Sequence, residues 1–517
     1  MTPNQRFPRF FRAVVSGYAL LTANTLYVLA SIPLALHFLE RREFGLWALA
    51  MQLTGYLQLI DVGMSASISR HLIDYKDNRT EGGYGGMIQT GALVLLVQGT
   101  LVLVGGAVLV LFGTGFLNVD PDLERPFKIV MLVQCAIIAA DFPARLSGHL
   151  LVAHQRADIA NYSQIGLFFV SFAVLWYCFA QGLGIFSLIW ANVAGWLLVA
   201  SSNLIACSVL KIFPTRGTWG RASWPKFREL FKFGKDIFWI ALGTQMINAS
   251  QAIVVTRSLG LNAAAIWSVC TRTYVLANQL VWRPFDYSSP ALSEMVARGE
   301  KERLLHRFKG LVTLTTSFGV LAAVMFALCN KPFVTLWTHG KISWAIQNDL
   351  LLSIWLIVLA LVHCHCSLPG ITKQIGFMRY IYFLEGAVFL GVGSFVAARI
   401  GFSGMLITSI LASLVFSCSY GIWRTMCEFD LSLKEVAFRW LQPSIKLFVS
   451  LAILALLLYW PTQGLPPQIQ LPIYVVIVGG IGGFLLLRIG LGGELREEFQ
   501  RRAPAPLARI LGRLFPA

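Results

Sequence analysis

The feature that most limits this chain is the recurrence of uninterrupted apolar runs, each about as long as a bilayer is thick. A spanning helix needs about 20 apolar residues. Fourteen such runs follow one another, at 13–36, 44–66, 87–112, 127–148, 161–181, 184–208, 233–256, 263–288, 309–329, 350–372, 377–398, 401–424, 445–461 and 471–491. No polar stretch between them is long enough to fold as an independent domain. Only 13% of the 517 residues are charged and 56% are hydrophobic, against about 25% charged in soluble proteins. In water so much apolar surface would drive association, so lipid is the solvent for most of the chain. The first run follows Arg6, Arg9 and Arg12 as a signal peptide does. It is too long for such a segment and no small-x-small site follows it, so it counts as a helix. The expected fold is all-α and integral to the membrane, with about fourteen spans.

The net charge of +17 does not indicate nucleic-acid binding, because the basic residues lie between the apolar runs rather than along one patch. Of the 42 Lys and Arg, 32 fall in one alternating set of loops or in the span ends beside them, 8 in or beside the other set, and Arg272 and Arg283 lie deeper within a span. By the positive-inside rule both termini are expected in the cytoplasm. The nine cysteines sit in or beside the apolar runs, which excludes a disulfide scaffold.

The halves of the chain echo each other. Leu39 and 44–49 match Leu259 and 264–269 at an offset of 220, as Phe11-Arg12 matches Phe231-Lys232. Six spans per unit is an even number, so the units share one orientation, with an axis along the membrane normal and a cleft between them as the expected substrate path. The expected division is an N-terminal bundle at 1–213, a second bundle at 214–428 and two further spans at 429–492. A basic amphipathic tail at 493–517, with Arg496, Arg501, Arg502, Arg509 and Arg513, is expected to lie on the inner membrane surface.

Charged residues within spans cost several kcal/mol on insertion scales, roughly 2.5–3.5 for an Arg near the centre. The eighth span holds Arg272, Gln279 and Arg283 within roughly 40° of one another, with the two arginines about 16 Å apart along the axis. The second span carries Gln58 and Asp61 on one side, the first offers Asn24 and Tyr27, and the seventh offers Thr244, Asn248 and Gln251. These residues are expected to line an aqueous cavity with a cationic wall, the alternative being hydrogen bonding between helices and snorkelling of Arg283. A guanidinium keeps its charge in a low-dielectric cavity and presents a planar fork of donors, which suits a phosphate or pyrophosphate. An exporter of cationic drugs would want carboxylates there. Glu385 and Asp61 are the candidates for ion coupling. His363-Cys364-His365-Cys366 can bring at most His363 and Cys366 together on a helix, so packing is expected rather than a metal site. Gly479 and Gly483 have the spacing of a close helix contact. No catalytic constellation, metal centre, cofactor motif or P-loop is present in the sequence.

Three stretches carry a family resemblance: Glu43-Phe44-Gly45-Leu46-Trp47 with Leu59-Ile60-Asp61-Val62-Gly63-Met64-Ser65 and Arg70; Glu229-Leu230-Phe231-Lys232-Phe233-Gly234; and Pro290-Ala291-Leu292-Ser293-Glu294 with Gly299-Glu300-Lys301-Glu302-Arg303-Leu304. Together they resemble the polysaccharide-transporter, or lipid-linked oligosaccharide flippase, branch of the multidrug/oligosaccharidyl-lipid/polysaccharide exporter superfamily. The resemblance implies two six-helix bundles around a central cleft, alternating access, and a polyprenyl-pyrophosphate-linked oligosaccharide as substrate. It further implies that Arg272 and Arg283 hold the pyrophosphate. Membrane lipids and polysaccharide-assembly proteins are the other partners expected. Arg41 and Arg42 replace the small residues usual before Glu-Phe-Gly, and no charge stands in the first span. The alternatives are a cation-coupled drug antiporter of the same fold and a membrane polysaccharide polymerase. External connections near 113–126 and 330–349 are too short to hold a catalytic domain.

Overall fold

The computed structural model describes residues 3–39, 43, 46–47, 54, 57–77, 82–117, 121–248, 250–259, 261–338, 340, 342 and 344–491. The chain forms two compact units, Met1–Phe238 and Trp239–Ala517. The division falls inside a helix, and the last two spans belong to the second unit. The tail at 493–517 and most of 44–56 lie outside the described residues.

The first unit contains α1 (Pro3–Phe38), α2 (Met64–Tyr75), α3 (Gly83–Leu117), α4 (Pro121–Ala153), α5 (Ala157–Ala180), α6 (Phe186–Val209) and the start of α7 (Trp224–Asn248). Because lipid is as apolar as a leucine side chain, helices associate here by close packing and polar contacts rather than by escape from water. A Cβ on Gly99 of α3 would strike the Ala139 carbonyl of α4, and one on Gly106 would strike the Cys135 sulfur. Seven residues apart, both glycines lie on one helix face and let the backbones approach. On another face of α3, Leu93, Val97, Leu101, Val104, Val108 and Leu111 are exposed, as a lipid-facing stripe should be.

The second predicted span does not end at 66. A 3-10 turn at Gln58–Asp61 gives way to Val62 and Gly63 in left-handed conformation (φ 45° and 70°), and α2 then continues to Tyr75. The Asp61 carboxylate accepts the Ser65 backbone N–H (3.2 Å) and hydroxyl (2.5 Å), satisfying donors that the first turn of a helix leaves open. A Cβ at Gly63 would lie 2.6 Å from the Gly234 carbonyl oxygen, so this turn needs glycine for approach as well as for φ. Two of the stretches that carry the family resemblance meet here. Ser67 donates to the Leu230 carbonyl (2.8 Å), and Glu229 receives Tyr75 (3.0 Å) and pairs with His71 (3.2 Å).

The second unit contains the end of α7, then α8 (Ser250–Leu259), α9 (Leu261–Cys270), α10 (Arg272–Ala297), α11 (Lys301–Trp337) and α12 (Ile346–Ile371). It closes with α13 (Met378–Ile400), α14 (Phe402–Phe429), α15 (Glu435–Thr462) and α16 (Pro467–Gly490). Ten described helices are long and apolar enough to cross a membrane. Among the long helices α11 and α14 are the most enclosed, α11 being packed by α10, α12, α15 and α16. A Cβ at Gly319 would lie 2.9 Å from that of Ala360 on α12, so α11 and α12 touch along their backbones. The expected small-residue contact of α16 is displaced: Gly482, whose Cβ would meet Leu321 at 2.5 Å, makes the approach, while Gly483 has nothing within 4 Å. Four π-helical turns interrupt this unit, at Phe389–Gly393, Leu414–Cys418, Glu435–Arg439 and Leu486–Gly490.

Candidate functional site: an uncovered cationic face

The polarity of α10 follows from which of its residues its neighbours cover. Tyr274, Asn278, Val281, Phe285, Ser288 and Leu292 are buried against α11 and α12. Arg272, Leu276, Gln279 and Asp286 are exposed and Arg283 is half-buried. Spacings of four, three, four and three residues put these five on one face. The second unit therefore leaves uncovered the face on which Arg272 and Arg283 stand, on a helix that is not among the ten apolar enough to cross a membrane. Arg283 lies over the Tyr287 ring at 5.9 Å. Among the described residues no carboxylate pairs with either guanidinium. Asp286, three residues from Arg283, is instead occupied by α12: its Oδ1 lies 2.7 Å from His363 Nε2. The imidazole stacks on Trp282 at 4.6 Å and 6° and meets Phe285 edge-on. The acid is thus turned from the cation beside it.

The other expected site residues lie as follows. Asn24 is exposed on α1, and Tyr27 is half-buried with its ring 5.3 Å from that of Phe168. Gln58 accepts from Arg145 Nη2 at 2.7 Å. Thr244 donates back to the Ile240 carbonyl (2.9 Å), and Gln251 is half-buried on α8. The Asn248 side chain lies outside the described residues. Asp61 holds Ser65, as above. Glu385 is buried between α13 and α14. One of its carboxylate oxygens accepts from Ser413 (2.8 Å), and the other is buried without a partner.

Arg145, one of the 32 basic residues that the sequence assigns to the loops or the span ends beside them, lies within α4, where Asp141 (2.6 Å), Gln58 and the Phe142 ring (4.6 Å) surround it. The i−4 acid was the available signal. His363 packs on Trp282 and Phe285 as expected and in addition holds Asp286, a partner 77 positions away that nothing in the sequence signals. His365 takes up Thr425 (2.7 Å). Among the described residues no group of three His, Cys, Asp or Glu could hold a metal.

Comparison with known proteins fixes the family. Residues 14–296 match the family described as "Polysaccharide biosynthesis protein". The chain belongs to that family. Its fold is that of transporters of the MOP superfamily. An outward-facing multidrug-resistance MATE transporter superposes with a TM-score of 0.65 at 13% identity, over 82% of this chain and 97% of its own. The Vibrio cholerae MATE transporter VcmN in its bent form gives 0.62 at 16%, over 84% and 97%. A Pyrococcus furiosus MOP transporter, described as having a binding pocket of reverse polarity that suggests a different function, gives 0.61 at 13%, over 83% and 96%. No curated protein matches the chain in sequence. The family member described here is thus a multi-pass membrane protein with a transporter fold, and the cationic face of α10 is its candidate site.

Proposed function

We propose that this protein is a flippase. It moves a polyprenyl-pyrophosphate-linked oligosaccharide, a precursor of surface polysaccharide or O-antigen, across the bacterial cytoplasmic membrane by alternating access, with both termini in the cytoplasm. The observation that carries this reading is the pair of arginines on the uncovered face of α10, with no acid among the described residues paired to either. Holding unpaired guanidinium groups in a low-dielectric setting is costly, and a bound diphosphate repays it through charge-assisted, forked hydrogen bonds. The polyprenyl chain stays in lipid while the sugar travels along the polar face. No covalent chemistry is required of the protein, so it acts as a carrier and not as an enzyme. Glu385, a buried carboxylate with one oxygen unpartnered, is the group we assign to ion coupling, ahead of Asp61, whose oxygens already hold Ser65. The drug-antiporter reading draws on the MATE fold relatives, and predicts that Glu385 matters and the arginines do not.

The test is leaflet transfer of a fluorescent polyprenyl-pyrophosphate oligosaccharide in vesicles containing the purified protein. Transfer that fails in Arg272→Ala and in Arg283→Ala, with both proteins inserted normally, is the expected result. Full transfer by the double variant would refute the assignment.

A further inference from the structure

Arg272 stands at the first residue of α10, immediately after Thr271, where α9 ends. Thr271, at φ −94° and ψ 1°, leaves the helical range between the two helices, and Asn330 of α11 bonds the chain on both sides of it. Its amide nitrogen donates to the Cys270 carbonyl (3.0 Å), and its amide oxygen accepts the Thr273 hydroxyl. The same amide donates to Asp349 Oδ1 of α12 (2.7 Å), which also receives the Trp344 indole N–H (2.7 Å). Asn330 is 1% exposed and Asp349 0%, so no water competes for these bonds. Cys270 and Thr273, on either side of the arginine, are thereby tied inward to one amide. Next to them, Trp267 lies against the Trp344 and Phe402 rings, and Tyr274 stacks on Trp355 at 5.7 Å. With the residues before and after it tied to the interior, Arg272 has only the outward azimuth left.

We infer that Asn330, backed by Asp349, is a positioning residue for the anion-binding arginine at 272, fixing the α9–α10 joint so that the guanidinium enters the uncovered face. This inference rests on the proposed function for its substrate class, but the geometry can be tested without any substrate.

The first measurement is labelling of an Arg272→Cys variant, in a Cys427→Ser background, by a water-soluble maleimide in detergent. Adding Asn330→Leu should change the labelling rate at least about fivefold, since roughly 1 kcal/mol of lost restraint corresponds to that factor. Adding Thr273→Val, which deletes only one hydroxyl bond, should shift it about twofold in the same direction. Rates unchanged by both overturn the inference whatever the protein transports. The second measurement is binding of farnesyl pyrophosphate to the purified full chain. Asn330→Leu and Asp349→Leu should each weaken it about tenfold, and Asp349→Asn, which keeps the acceptor, should restore most of the loss. In an Arg272→Ala background Asn330→Leu should add nothing, whereas a merely structural role would give the same further loss there and overturn the inference. Binding by the parent that is indifferent to Arg272→Ala would instead sink the flippase reading, leaving the labelling result to stand or fall alone.

Discussion

The two units treat the same side chain in opposite ways. Arg145 of the first unit is surrounded by Asp141, Gln58 and the Phe142 ring. Arg272 and Arg283 of the second stand on an uncovered face, and Asp286, three residues from Arg283, is held by His363. An arginine whose charge is met inside the protein stabilises structure and has little left for a ligand. One left without a counter-charge among the described residues is a cost to the fold, which on the proposed function the pyrophosphate repays. The difference teaches that charge within a helix by itself is a poor marker of a candidate site; a charge without an internal counter-charge is the better one.

Breaking the contrast at its strongest point means removing both unmet cations. Arg272→Ala with Arg283→Ala should cut leaflet transfer by roughly a hundredfold or more, two charge-assisted contacts of about 1.5–3 kcal/mol each being lost, with a melting temperature close to that of the parent. A finer test gives the second unit what the first already has. Gln279→Asp places an acid four residues before Arg283, as Asp141 stands before Arg145, and should weaken binding of a prenyl pyrophosphate about tenfold by closing an internal pair. The converse change, Arg145→Ala, should lower stability by about 1–2 kcal/mol, the guanidinium being partly exposed, as read by thermal unfolding. Transport per folded molecule should fall much less. The smallest effect is expected from His363→Ala, which frees Asp286 to turn to Arg283. Affinity should drop about threefold, and adding Asp286→Asn should recover it; if the pair of changes is worse than the first alone, the imidazole acts in some other way.

Ten of the fourteen expected spans coincide with described helices long and apolar enough to cross a membrane, and these were legible because their physics is local: a run of apolar residues about 20 long suffices. Those at 13–36, 44–66, 233–256 and 263–288 are not among them. The cationic stripe was legible too, since the period of one helix places Arg272, Gln279 and Arg283 together without knowledge of any neighbour. What covers the opposite face of that helix was not. Nothing near Asn330 in the sequence points to Cys270, and His363 with Asp286 is a pairing between helices. The turn at Val62-Gly63 escaped notice because its cause, the Gly234 carbonyl 2.6 Å from where a Cβ would stand, lies some 170 residues away in sequence. Within a membrane the apolar pattern records lipid on one side and protein on the other in nearly the same letters, so contacts between spans leave little trace. Glycine spacing suffers in the same way: Gly479 and Gly483 have the right interval, yet Gly482 makes the approach.

The π-helical turns in α13 and α14 bear on how relatives of this chain should be aligned. Each such turn houses one residue more than a plain α-helical turn, so the faces before and after it are out of phase by about 100° relative to a continuous helix. In α13 the step begins four residues after Glu385, and in α14 it encloses Ser417, whose hydroxyl donates to the Ser413 carbonyl. A homologue with unbroken helices would reach the same faces with a single deletion at 389–393 and another at 414–418. One-residue gaps at those two places therefore mark the same architecture reached by a different winding, and closing them by force would set every later position on the wrong side of its helix.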